Sequence, residues 1–118
     1  MASPSSEPLR VEISPHGSAT VVKLIGSANM DVSAGLRDRL IALVEKQSEP
    51  LILDLSELRF ISSVGLGGII AAHLRCRHSQ NEIRLVAPQP AIQELLEITK
   101  LTKLFAIYPT VEAAIASA

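Results

Sequence analysis

Hydrophobic and polar positions along the chain change period several times, and the changes outline an α/β order. Leu9-Arg10-Val11-Glu12-Ile13 alternates apolar and polar residues, as a half-buried strand does. Ser14 to Ser18 is a turn by composition, and Ala19 to Ile25 is apolar and β-branched, so a second, antiparallel strand follows. Gly26 to Val32 reads as a loop with Ser33 as a candidate N-cap. Leu36, Leu40, Leu43 and Val44 then recur at helical spacing, predicting a helix over about 34–47 that Pro50 terminates.

Leu51 to Leu55 is a continuous apolar run, suited to a central strand buried on both faces. A second helix starts near Ser62-Ser63 and reaches about Ser79; its first half, Val64 to Ala72, carries no charge. Ile83 to Ala87 is the next strand, and Pro90 suits the first turn of a helix over about 91–99. Leu104 to Tyr108 is a last strand, and Thr110 can cap a final helix bearing Val111, Ala114 and Ile115. The order ββαβαβαβα predicts an α/β single domain. Its mixed, mostly parallel sheet has about five strands and four helices, with right-handed crossovers.

The length of 118 residues fits one domain with a real core. With two Phe, one Tyr and no Trp in a chain that is 47% hydrophobic, that core must be aliphatic. A net charge of −1 and so few rings argue against a nucleic-acid footprint, an electrostatic membrane anchor or a base-stacking surface. No apolar run reaches the length of a membrane span, so no direct membrane insertion is expected. The lone cysteine, Cys76, excludes an intrachain disulfide and fits a reducing, cytoplasmic setting. Residues 1–8 are small, polar and Pro-rich; they read as a disordered leader rather than a signal peptide, leaving 9–118 as the domain.

The segment from Leu53 to Gly68 concentrates the candidate chemistry. Two adjacent serines sit where a helix begins. A hydroxyl there can cap free backbone N–H groups, and the positive end of the helix dipole favours an added phosphate. Either serine can be the cap; if Ser62 is, Ser63 stands exposed in the first turn. Gly65, Gly67 and Gly68 weaken the helix start by up to about 1 kcal/mol each relative to Ala. Their presence is accounted for by close packing of this helix on the sheet, or by a bare surface that a partner can approach. Asn29 and Asp31 suit turn chemistry and equally a wall of a site near Ser63.

From Gly26 onward the order of elements resembles the STAS domain of bacterial anti-sigma-factor antagonists. The specific residues are Asp54-Leu55-Ser56 and Phe60-Ile61-Ser62-Ser63-Val64-Gly65-Leu66-Gly67. They are similar to the family's strand, aromatic, Asp or Ser, acceptor Ser or Thr, small residue and Gly-Leu. The resemblance puts Ser63 at the phosphoacceptor position and Gly65-Leu66 at the Gly-Leu, and it makes Gly26 to Met30 the loop beside the acceptor. Asn29 and Ser62 stand where relatives often carry Asp, which makes the site less acidic, and Val64 replaces a residue that is often small and polar.

The resemblance implies a regulatory binding protein, switched when a partner serine kinase/anti-sigma factor phosphorylates Ser63 and reset by a phosphatase. Asn29, Asp31, Ser62, Val64, Gly65, Leu66, Gly67 and Gly68 would then bind the partner. The alternative it implies is an unphosphorylated scaffold subunit of a sensory or lipid-transport complex.

Other candidates carry less. His73 and Cys76 are one helical turn apart, but His78 lies well round the axis and no second ligand pair completes a tetrahedral metal site. Arg75 and Arg77 read as a solvated face. No Gly-rich phosphate loop is present, no base is placed for a nucleophile, and neither catalytic residues nor a cofactor are expected.

Overall fold

The computed structural model describes residues 8–17, 19–46, 49–78 and 81–116. Among them, five strands form one sheet in the spatial order β1-β2-β3-β4-β5. They are β1 (Arg10–His16), β2 (Ala19–Ala28), β3 (Leu51–Ile61), β4 (Ile83–Val86) and β5 (Ile107–Tyr108). The helices are α1 (Met30–Lys46), α2 (Ser63–Arg77), α3 (Pro90–Ile98) and α4 (Val111–Ala116). β1 is antiparallel to β2, and every later pairing is parallel. The ββαβαβαβα order expected from the sequence is the observed one. The expected leader lies outside the described residues apart from Pro8.

The pleat divides the core in two. Val22, Leu53 and Leu85 share one register row and face the main aliphatic cluster, which Leu36 and Leu40 of α1, Ile69 and Ala72 of α2, and Ile92 and Leu96 of α3 complete. One position along, Val21 and Ile52 face the other way and meet Ala114 of α4. Arg84 pairs with Ile52 in register; buried, it donates to the Ala114 carbonyl at 2.7 Å and to Glu82 at 2.7 Å, which pins α4 to the sheet.

Five boundaries differ from expectation. β1 runs on to His16, through three residues expected in the turn, because Ser14, Pro15 and His16 still pair with β2, and β2 ends at Ala28 instead of Ile25. β3 continues to Ile61 instead of stopping at Leu55, because β2 also continues and the two remain paired to Ala28 and Ile61. The register slips between Lys23 and Ile25 and again between Gly26 and Ser27, so the inward residues Leu55, Leu58 and Ile61 are spaced by three, not two. That spacing hides a strand from a search for period-two alternation. α1 starts at Met30, four residues before the expected start. Asn29 is its cap, with Oδ1 accepting the Asp31 N–H at 3.0 Å, and Ser33 is an internal residue of the helix. β5 is only Ile107–Tyr108, because a 3-10 turn at Leu101–Lys103 takes up the chain before it. Pro90 does open α3, and Thr110 does accept from the Ala113 N–H at 3.1 Å.

Gly26 is obligatory at its bend. Its φ is +97°, and a Cβ would lie 2.1 Å from the Pro8 carbonyl oxygen.

Candidate functional site

β3 overhangs its neighbour β4, which pairs with it only as far as Asp54. The overhang carries the chain from the core to the start of α2, beside the end of β2 and the start of α1. Ser62 donates its backbone N–H to the Ala28 carbonyl at 2.8 Å, so the ends of β2 and β3 are tied together directly beneath α2.

The cap ambiguity resolves in favour of Ser62. Its backbone is extended and its Oγ accepts the Gly65 N–H at 2.9 Å, the geometry of an N-cap. Ser62 is only 7% exposed. Its hydroxyl also meets Ser33 Oγ at 2.8 Å, and Ser33 Oγ lies 2.5 Å from the Asn29 carbonyl. Two helix N-termini are thus joined by a short row of buried hydroxyls. Ser33, expected as a helix cap, has no role as one. Its only one-dimensional signal is the spacing of four from Asn29, which lets a helical hydroxyl reach back to a carbonyl.

Ser63 is the first residue of α2 and is exposed. The first turn of α2 contains no acidic residue. Beside it Val64 is 43% exposed and Met30, at the start of α1, is 62% exposed. Gly67 is also exposed, with open space where a Cβ would stand. On α2 the exposed residues around the Ser63 hydroxyl carry no charge, and the start of α1, tied to the start of α2 through Ser33 and Ser62, exposes Met30 and the acidic Asp31. Asn29 is half-buried. Between the β3 overhang and α3, Phe60, Ile61, Ile92 and Leu95 line a shallow groove of about 230 Å³.

Several residues expected at a partner surface lie below it. Ser62, Gly65, Leu66 and Gly68 are buried. Gly65 backs onto Ser33, Ile61 and Ala28, and Gly68 backs onto α1, where a Cβ would come 2.8 Å from Arg37 Cβ. The close approach expected between α2 and the sheet is therefore in large part an approach between α2 and α1. The absence of side chains at these positions lets the two helices cross tightly.

The remaining candidates on α2 are spent on structure. The His73 ring is buried, its Nδ1 accepts the Ile83 N–H at 3.1 Å, and it packs against Phe105 with ring centroids 4.6 Å apart. Burial, reinforced by the nearby Arg77 guanidinium, lowers its pKa below the ordinary imidazole value. Burial also pushes the Cys76 thiol up to about 11. Among the described residues no helix is long and apolar enough to cross a membrane.

Known proteins share this architecture. The anti-sigma F factor antagonist of Paenibacillus polymyxa is 28% identical over 101 residues, covering 85% of this chain and 86% of its own. The crystal structure of an anti-sigma factor antagonist from Mycobacterium paratuberculosis superposes with a TM-score of 0.79 at 28% identity, over 99% of this chain and 100% of that one. The Bacillus protein SpoIIAA has the same fold at 17% identity. Its unphosphorylated form gives a TM-score of 0.76 over 92% of this chain and 93% of its own, and its phosphorylated form 0.70 over 92% and 96%. The model of the STAS domain matches residues 10–114, and the chain accordingly belongs to the STAS domain family.

Proposed function

We propose that this protein is an anti-sigma factor antagonist, a cytoplasmic binding module switched by phosphorylation of Ser63. The observation that carries the reading is the division of labour between the two serines. Ser62 caps the helix from within, which leaves the exposed Ser63 hydroxyl with no structural duty at the head of α2. In the unmodified state an anti-sigma factor docks on Met30, Asp31, Val64 and Gly67 around Ser63, with Asn29 at the margin. Ser62, Gly65, Leu66 and Gly68 support that surface from below. The same partner, acting as a serine kinase, phosphorylates Ser63 and releases the complex, and a phosphatase resets it. The protein is the substrate in this cycle, not the enzyme. Relatives described as anti-sigma factor antagonists support the partner, and a relative of the fold solved in both unphosphorylated and phosphorylated forms supports the switch.

The physics of the switch follows from position. A phosphate adds about −1.5 to −2 charge at pH 7. Its own helix favours that charge by roughly 0.3–1 kcal/mol through the dipole. A partner packed on Val64 and Met30 must instead desolvate a dianion or open a gap. Turning a bound population into a free one through a ten-thousandfold change in affinity takes about 5.5 kcal/mol of differential interaction, within reach of a phosphate at the centre of an interface. The test uses the cognate kinase and titration calorimetry. Ser63→Ala should take up no phosphoryl group and bind the partner. Ser63→Asp should bind at least tenfold more weakly with a nearly unchanged melting temperature. A Ser63→Ala protein modified as fully as the wild type, or equal affinity of the Ser63→Asp and unmodified forms, refutes the reading.

A further inference from the structure

The row of hydroxyls beneath Ser63 has only one consistent direction. The Asn29 carbonyl can only accept, so at 2.5 Å the Ser33 O–H is the donor to it. The 2.8 Å contact between Ser33 and Ser62 then takes its proton from Ser62. Ser62 in turn accepts the Gly65 N–H at 2.9 Å. The protons run from Gly65 to Ser62, from Ser62 to Ser33, and from Ser33 to Asn29. The Ser62 hydroxyl is thereby engaged both as acceptor and as donor, in a residue only 7% exposed, while Ser33 is fully buried.

The geometry points to Ser33 as a positioning residue that decides which of two adjacent serines accepts phosphate: it holds the Ser62 hydroxyl inward and leaves Ser63 as the sole free nucleophile. This inference rests on the proposed phosphorylation of Ser63. In the transfer, Ser63 Oγ attacks the γ-phosphorus of ATP held by the kinase. The new O–P bond forms, and the bond from the γ-phosphorus to the β,γ-bridging oxygen breaks. ADP leaves, and the hydroxyl proton passes to a base of the kinase. For Ser62 the same attack would first require breaking two hydrogen bonds and turning the side chain out of its buried site. Removing the Ser33 hydroxyl deletes one of those bonds and leaves the Ser62 O–H without its acceptor, which favours the rotamer that faces solvent.

The test is site-resolved mass spectrometry after incubation of the full chain with the cognate serine kinase and Mg-ATP. Wild type should carry phosphate on Ser63 alone, and Ser63→Ala should carry none. The double variant Ser33→Ala/Ser63→Ala should gain phosphate on Ser62, at a tenth or more of the wild-type rate. Ser33→Cys/Ser63→Ala fills the space left by Ser33 with a thiol that is a poor hydrogen-bond partner. It should show the same gain and guards against a packing defect in the alanine variant. A merely structural Ser33 would lower the melting temperature without moving the phosphate. Wild type modified on Ser63, with both double variants as inert as Ser63→Ala, overturns the role of Ser33 and leaves the functional reading standing. A wild type that takes up no phosphate overturns both.

Discussion

Gly67 and Gly68 are neighbours in one helix, yet alanine at the two positions should change stability by different amounts, and at Gly68 the sign should turn against it. An alanine in a helix interior is favoured over glycine by about 0.8–1.0 kcal/mol. At Gly67 a Cβ meets nothing within 4 Å, so the full gain should be realised. For a domain of this size that is a rise in melting temperature of roughly 3–5 °C. At Gly68 the added Cβ would lie 2.8 Å from Arg37 Cβ, 3.3 Å from its Cα and 3.4 Å from its Cγ. Cα and Cβ are the root of the side chain and move only with α1 itself. The helices must separate at their crossing, and overpacking of this kind costs about 1–3 kcal/mol. Subtracting the propensity gain leaves Gly68→Ala between neutral and about 2 kcal/mol destabilised, and the two variants about 1–3 kcal/mol apart. Urea denaturation with a shared m-value, alongside thermal melts, measures the difference. A Gly68→Ala protein as stable as Gly67→Ala would refute the tight crossing of α1 and α2. Because Gly67 lies in the proposed docking surface, its alanine variant should also bind the partner more weakly while melting higher.

His73 and Cys76 give two further expectations. The folded-state pKa of His73 is lowered, so between its ordinary value near 6.5 and that lower value the unfolded chain binds more protons. Stability from this group is therefore full above about pH 6.5 and falls as pH drops through the folded-state pKa. Arg77, Glu82 and Lys103 line the pocket that the ring borders, and of these Arg77 opposes protonation while Glu82 favours it. The melting temperature of wild type should fall more steeply between pH 7 and 5 than that of His73→Gln, and parallel curves would remove the group from the account. With its thiol at about 11 and its side chain buried, Cys76 should react with a maleimide at pH 8 at least a hundredfold more slowly in the folded protein than in urea, and comparable rates would contradict its burial.

The sequence was legible where the period was regular and silent where contacts crossed it. Leu36, Leu40 and Val44 announced α1, and the run from Leu51 to Leu55 announced a strand whose Leu51, Ile52, Leu53 and Leu55 are indeed buried. The second half of β3 escaped notice because two register slips against β2 spread its inward residues to a spacing of three. Ser33 is a good capping residue by type, but Asn29, four positions earlier, caps the helix instead, and type alone cannot choose between two residues that are both suited to the position. The pair Ser62-Ser63 located the candidate site. Ser62 faces inward, where its hydroxyl meets Ser33, 29 positions away along the chain, and no local pattern encodes that contact.

The overhang of β3 has a last consequence. The proposed docking surface stands on the strand that also runs through the aliphatic interior, and it is braced by two helix starts rather than carried on a long connecting loop. Such a platform opens only when the whole molecule opens, so the paired amides beneath it, those of the β3 overhang and Ser62, should exchange with solvent as slowly as those of the interior. A partner meets a shape that already exists and loses little freedom in ordering it. In the proposed cycle, charge on one oxygen atom is then the variable between the two signalling states, and the reader of the signal, not this domain, must do the moving.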